Sequence, residues 1–354
     1  MMDRLEQAKL LEDMLPENGH PKVHEDAYMD MSSADYYFNS YAHFGIHEEM
    51  LRDEIRTESY MRAILDNSAC FSGKAVLDVG CGTGILSIFA ARAGARAVYA
   101  VDCSKIVDQA RAIVRKNGME NVVTVIEGKM EEIELPEKVD IIISEWMGYF
   151  LFYESMLDTV IYARDRFLKP GGLLFPNETK LYICGIEDGK YKSYKYDFWH
   201  DVYGVDMSHI RNIALTEPLV DIVNPEQVST DRVELLTVDI STVKKEDLAC
   251  VSPFRVTSWR SDSCHALVCY FDVTFSAGDN TVYFTTAPQS KSTHWKQTVF
   301  YLDESIYMEA GEEISGVLAM RPSKKNPRDL DIAIQYSFDG KHSAARNTLR
   351  YRLS

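Results

Sequence analysis

Two stretches of this 354-residue chain combine residue types that can do chemistry. The first is Asp78-Val-Gly-Cys-Gly-Thr-Gly84, in which Gly80, Gly82 and Gly84 alternate with other residues directly after an apolar run. Glycines where a strand turns into a helix let the backbone pass close to a ligand. The spacing departs from the Gly-x-Gly-x-x-Gly of dinucleotide sites, and Asp78 sets a carboxylate where a pyrophosphate would be repelled. A cationic cofactor without phosphates fits better. S-adenosylmethionine, with its sulfonium, ammonium and ribose hydroxyls, is such a cofactor, and Asp102 ends the next apolar run, where a doubly wound fold places its ribose-binding acid.

The second stretch is Ser144-Glu-Trp-Met-Gly-Tyr-Phe-Leu-Phe-Tyr-Glu154, where Glu145 and Glu154 bracket an almost wholly apolar and aromatic segment. Charges in such company are paired or functional. Two carboxylates converging at the C-terminal edge of a parallel strand can hold a guanidinium by forked hydrogen bonds.

The elements that must position these stretches follow from patterning. Residues 36–175 alternate short apolar runs with helical patterns, the grammar of βαβ units and a parallel sheet. The stretch 48–65 reads as one helix carrying Arg56. Residues 176–354 turn to strand after strand and predict a second, mostly antiparallel domain. An aromatic-rich excursion at about 188–214 interrupts those strands and needs something to cover it. Residues 1–35 set nine acids against Arg4, Lys9 and Lys22, which predicts a short helix near 2–14 and then an acidic linker.

The formal net charge of −16 argues against a nucleic-acid partner and favours cationic ones. No apolar stretch is long enough for a membrane span, and the first fifteen residues resemble neither a signal nor a transit peptide. Seven cysteines without a Cys-x-x-Cys pair support neither a disulfide framework nor a cysteine zinc site, so a reducing compartment, cytoplasm or nucleus, is expected. His43 with His47, and His20 with His24, have no evident third ligand, and no metal is expected.

Taken together, Tyr37-Phe-Asn-Ser-Tyr41, His43-Phe-Gly-Ile-His-Glu-Glu-Met50, the glycine loop, the double-glutamate loop and Thr293-His-Trp-Lys-Gln297 strongly resemble the type I protein arginine N-methyltransferases, nearly continuously from Tyr36 to Tyr351. The resemblance implies a Rossmann-like S-adenosylmethionine-dependent methyltransferase domain, then a β-barrel with a helical dimerisation arm, and an N-terminal helix and lid over the cofactor. It implies that Glu145 and Glu154 grip the substrate arginine. His294 is implied to pair with Asp53, either carrying off the proton or locking the pocket. Phe38, His47, Arg56 on the methionine carboxylate, Asp78, Gly80, Gly82, Gly84, Asp102 on the ribose, and Met130 with Glu131 around the adenine are the implied cofactor contacts. Asp102 departs from the family's usual Glu, a reach shorter by one methylene.

By the same resemblance Tyr37 and Tyr41 cover cofactor and substrate, and Tyr149 and Trp295 line the arginine channel. Met50 and Met156 shape a pocket that allows a second methylation of one nitrogen, where the symmetric-forming branch carries a bulkier aromatic at the first position. The expected activity is transfer of methyl groups to arginine, giving mono- and asymmetric dimethylarginine and S-adenosylhomocysteine. Expected substrates are Arg/Gly-rich RNA-binding proteins and histone tails. Expected assembly is a homodimer or larger oligomer, with a related subunit as one option. The rival from another class is a catalytically silent scaffold of the same fold; its signature, loss of a glutamate or loop glycine, is absent here.

Overall fold

A computed structural model describes residues 3–16 and 44–354. Tyr37, Phe38, Tyr41 and the acidic linker lie outside the described residues. The first sheet is built from β1 (Ala75–Val79), β2 (Ala97–Asp102), β3 (Val123–Glu127), β4 (Val139–Ser144) and β5 (Leu168–Phe175), in spatial order 3-2-1-4-5. All its strand pairs are parallel. Every residue of β1 is buried, as a strand covered by helices on both faces requires. The order reverses between β1 and β4, and ligands of open α/β sheets bind outside the strand ends at that reversal. The glycine loop follows β1 and the glutamate loop follows β4, so the two stretches leave adjacent strand ends. Ser144 is paired with Val79, and its Oγ donates to the Val79 carbonyl at 2.8 Å.

The N-terminal helix is α1 (Arg4–Met14). The helix expected over 48–65 is two, α2 (Phe44–Arg52) and α3 (Glu54–Leu65). Asp53 makes the break. Its extended backbone leaves the helix, and its carboxylate accepts the Arg56 N–H at 3.0 Å and caps α3. Aspartate is a strong N-cap and a poor interior helix residue, so the local preference divides the pattern.

The second domain is antiparallel throughout its strand pairs. Its strands are β6 (Glu178–Ile186), β7 (Leu219–Asp221), β8 (Val233–Asp239), β9 (Cys250–Thr257), β10 (Asp262–Phe275), β11 (Val282–Thr285), β12 (Gln297–Met308), β13 (Glu313–Pro322), β14 (Leu330–Asp339) and β15 (Ala344–Leu353). They form one sheet in the order 7-12-10-6-8, with β11 beside β10, and another in the order 15-14-13-9. Apolar packing continues across both domains: Tyr60 of α3 meets Phe275 of β10 with ring centres 4.8 Å apart.

Between β6 and β7 the chain makes the expected excursion, with short helices at Gly189–Lys195 and Ser208–Ala214. Its base is fixed to β12, where Tyr191 and Tyr196 pack on Tyr301 and Arg211 bonds Asp303. Its outer part exposes Tyr194 at 80% and Tyr203 at 101%, with Phe198 and Val205 also exposed.

The expectation that the N-terminal helix covers the cofactor is corrected for the part described. α1 packs on the second domain, with Met14 and Leu15 buried against Val251, Ala319 and Ala333. The Arg321 guanidinium donates to the Leu15 carbonyl at 2.7 Å, and Arg350 Nε donates to the Met14 carbonyl at 2.7 Å. The helix's last carbonyls thus find cationic donors on the barrel, which suits the negative end of its dipole.

Candidate active site

The double-glutamate loop is a tight, internally bonded turn. Gly148 N–H donates to the Leu151 carbonyl at 3.0 Å, while Phe150, Leu151 and Glu154 have φ of 52°, 68° and 55°. Left-handed conformations of non-glycine residues persist only where surroundings enforce them. Gly148 is required by contact: a Cβ there would lie 1.6 Å from the Tyr153 carbonyl oxygen. Both domains supply the enforcement. Phe150 meets Phe300 of β12 edge-on at 5.4 Å, the Trp295 indole N–H donates to the Met147 carbonyl at 3.0 Å, and the buried Tyr60 hydroxyl donates to the Ser144 carbonyl at 2.9 Å.

The Glu145 side chain is 8% exposed and carries a guanidinium. Arg56 Nε and Nη2 reach its Oε2 at 2.9 and 2.8 Å, and Arg56 Nη1 donates to the Met50 carbonyl at 3.3 Å. The resemblance assigns Arg56 to the cofactor and Glu145 to the substrate; the structure joins them. Met50 also brings its sulfur within 3.9 Å of Arg56. Glu154 sits differently. Burial pushes its carboxyl above the usual glutamate range, opposed by the charge of Arg328 and a hydrogen bond with Tyr153.

His294 Nδ1 lies 2.7 Å from Asp53 Oδ2, and the His294 backbone N–H donates to the same oxygen at 2.9 Å. Burial raises the Asp53 carboxyl, but hydrogen bonds from His294 and Arg56 outweigh it and hold the group below its ordinary range. Beside this pair opens a cavity of about 500 Å³ lined by Glu48, Glu49, Asp53, Thr293 and His294, among others. Tyr149 stacks with Tyr153, with ring centres 6.3 Å apart. Trp295, expected along the arginine channel, is instead buried in the core, stacked on Phe284 and supporting the glutamate loop from beneath.

The glycine loop is covered by residues from elsewhere in the chain. Met156 would clash with a Cβ on Gly80 at 2.5 Å, and the His47 ring lies 3.3 Å from where a Gly82 Cβ would stand. Asp78 is fully buried and accepts from Ser87 Oγ at 2.6 Å, while its Oδ1 has no hydrogen-bond partner among the described residues. Burial, with the nearby Asp102 charge, pushes its carboxyl up to about 7 against the Ser87 bond. Asp102 Oδ1 accepts from the Ser104 N–H and hydroxyl at 2.8 Å, and Oδ2 accepts the Gly82 N–H at 2.9 Å. The shorter acid therefore ties the glycine loop to β2. Met130 is buried and Glu131 exposed.

These residues fit S-adenosylmethionine. A buried carboxylate oxygen without a partner needs a donor or a positive charge beside it, and a loop too tight for side chains suits a flat or slender ligand. Sequence reading missed Tyr60, Ser87 and Arg328. Tyr60 and Ser87 sit in ordinary helical patterns, and Arg328 in a polar loop, so no local signal marks them.

A parallel sheet with a glycine loop and an acid at its switch point, joined to an antiparallel domain whose Phe300, Trp295 and Arg328 carbonyl hold the double-glutamate loop, defines a two-domain methyltransferase. The methyltransferase domain model matches residues 76–172, and the arginine methyltransferase oligomerization subdomain model matches residues 177–341. The chain is 56% identical over 325 residues to protein arginine N-methyltransferase 1 of Chlamydomonas reinhardtii, covering 92% of this chain and 94% of that one. It is 53% identical over 324 residues to the enzyme of the same name from Dictyostelium discoideum, covering 91% and 95%. Among solved structures, the Trypanosoma brucei PRMT1 enzyme-prozyme heterotetrameric complex with AdoHcy superposes with a TM-score of 0.88 at 47% identity, covering 89% of this chain and 100% of that one. The chain belongs to the protein arginine N-methyltransferase family.

Proposed function

We infer that this chain is a type I arginine methyltransferase, transferring methyl groups from S-adenosylmethionine to guanidinium nitrogens and giving mono- and asymmetric dimethylarginine. The observation that carries the reading is Arg56 on Glu145. It supports the reading, because this carboxylate takes a guanidinium through two N–H groups on one oxygen. His47, Arg56, Asp78, the glycine loop and Asp102 would hold the cofactor, whose sulfonium supplies an electrophilic methyl group when bound.

The chain's own residues do the rest. A guanidinium is a poor nucleophile because its lone pairs are delocalised and its pKa exceeds 12. Two carboxylates that draw positive charge toward one side leave another nitrogen freer to attack, and fixed charge and orientation then lower the barrier. Glu145 and Glu154 take that part. Asp53 holds His294 beside the cavity, where Glu48 is paired with Arg52 and Glu49 adds a carboxylate that favours cationic segments such as Arg/Gly-rich and histone-tail sequences. Met50 and Met156, slender and unbranched, leave room for an already methylated nitrogen.

The exposed aromatics of the excursion at 188–214 and the oligomerization subdomain support assembly as a homodimer or larger oligomer. A related subunit is a second route to the same interface, as the enzyme-prozyme relative illustrates. Seven free cysteines support a cytoplasmic or nuclear location. The glutamates provide the test. Glu145→Gln and Glu154→Gln should each abolish transfer to an Arg/Gly-rich peptide while labelled S-adenosylmethionine still binds; turnover at the parent rate in either variant would remove that glutamate from the site.

A further inference from the structure

Glu154 is held by the other domain. Its backbone N–H donates to the carbonyl of Arg328 at 3.0 Å, while its φ of 55° is one that glutamate rarely adopts unaided. Arg328 lies in the loop 323–329, between β13 and β14, and that loop is rigidly bonded. Ser323 N–H donates to the Asp329 carbonyl at 2.8 Å, Asn326 Nδ2 donates to Asp329 Oδ1 at 2.7 Å, and Arg328 N–H donates to Asn326 Oδ1 at 3.2 Å. The strand ends that flank the loop are also fixed, since Arg352 bonds Asp331 at 2.9 Å and Arg321 clasps α1.

We propose that Arg328 is a positioning residue for arginine methylation: its carbonyl pins the backbone of Glu154, and its guanidinium sets a positive charge beside this half-buried carboxylate. The proposal rests on the reading of Glu154 as a substrate-gripping group. The groups that act on Glu154 include Tyr153 of its own loop and Arg328 and Asp329 of the barrel, and Glu154 in turn acts on Tyr149. The Arg328 charge opposes both burial and the neighbouring Asp329. A guanidinium works here where a neutral side chain would not, because a carboxylate must be ionised to draw charge from the substrate.

The test compares Arg328→Gln, Arg328→Lys and Glu154→Gln in the full chain. Turnover is measured against pH with an Arg/Gly-rich peptide, and binding of labelled S-adenosylmethionine is measured in parallel to show that each variant is folded. Arg328→Gln should lower kcat about tenfold and move the acidic limb of its pH profile up by about one unit, with cofactor binding unchanged. Arg328→Lys should recover most of the parental limb. An inactive Glu154→Gln together with parental kcat and pH profile in Arg328→Gln would overturn the role of Arg328 alone. An active Glu154→Gln would overturn the underlying reading of Glu154 and this proposal with it. Identical pH limbs in Arg328→Gln and Arg328→Lys would show that charge at this position is irrelevant.

Discussion

Asp78 shows how much chemistry one buried side chain can hold. Its carboxyl is pushed from an ordinary 3.8 up to about 7 by burial. The unfolded group releases its proton near pH 3.8 and the folded one near 7, so the folded chain binds more protons between these values and loses stability as pH rises through them. The loss is complete above about pH 7 and amounts to roughly 4 kcal/mol for a shift of this size. Asp78→Asn removes it. The melting temperature of that variant should fall less between about pH 4.5 and 7.5 than the parent's, and parallel curves would show that Asp78 ionises normally. At this scale the sequence was informative wherever residue types were incongruous with their surroundings. Carboxylates at 145 and 154 stand out within an aromatic run, and three alternating glycines stand out after a strand. Arg328 does not, because a backbone carbonyl reaching another domain leaves no trace in its own side chain or its neighbours.

The elements divide in the same way. The order of strands and helices, the parallel sheet, the antiparallel second domain and the excursion after β6 were all legible, since each depends on local periodicity. Two element-level readings failed for want of local information. The helix over 48–65 breaks because Asp53 serves two masters, the N-terminus of α3 and the ring of His294, and only the fold brings His294 near. The destination of α1 depends on a matching apolar face and on Arg321 and Arg350 far along the chain. The excursion itself yields a prediction. Its base is packed on β12 while Tyr194 and Tyr203 are exposed, so replacing both by Ser should leave the fold intact and shift sedimentation toward monomer. An unchanged sedimentation profile would exclude these rings from the assembly contact.

For the whole molecule, the site belongs to neither domain alone. The first domain contributes both glutamates and the glycine loop; the second contributes His294, which bonds Asp53, and the Trp295 indole and Arg328 carbonyl that hold the glutamate loop. Separating the domains would therefore cost the geometry even if each half folded. Net charge acts at the same scale. At −16, the molecule attracts cationic chains over a distance set by ionic strength. Association of an Arg/Gly-rich peptide should slow several-fold as salt is raised from about 50 to 500 mM, whereas a rate indifferent to salt would leave the charge without a part in substrate capture.

Together these two domains are expected to methylate arginine twice on one nitrogen. The direct test is to incubate the purified chain alone with methyl-labelled S-adenosylmethionine and an Arg/Gly-rich peptide, hydrolyse the product and separate the methylarginine isomers. Monomethyl- and asymmetric dimethylarginine are expected; label in symmetric dimethylarginine, or no transfer by a chain that binds the cofactor, would contradict that activity.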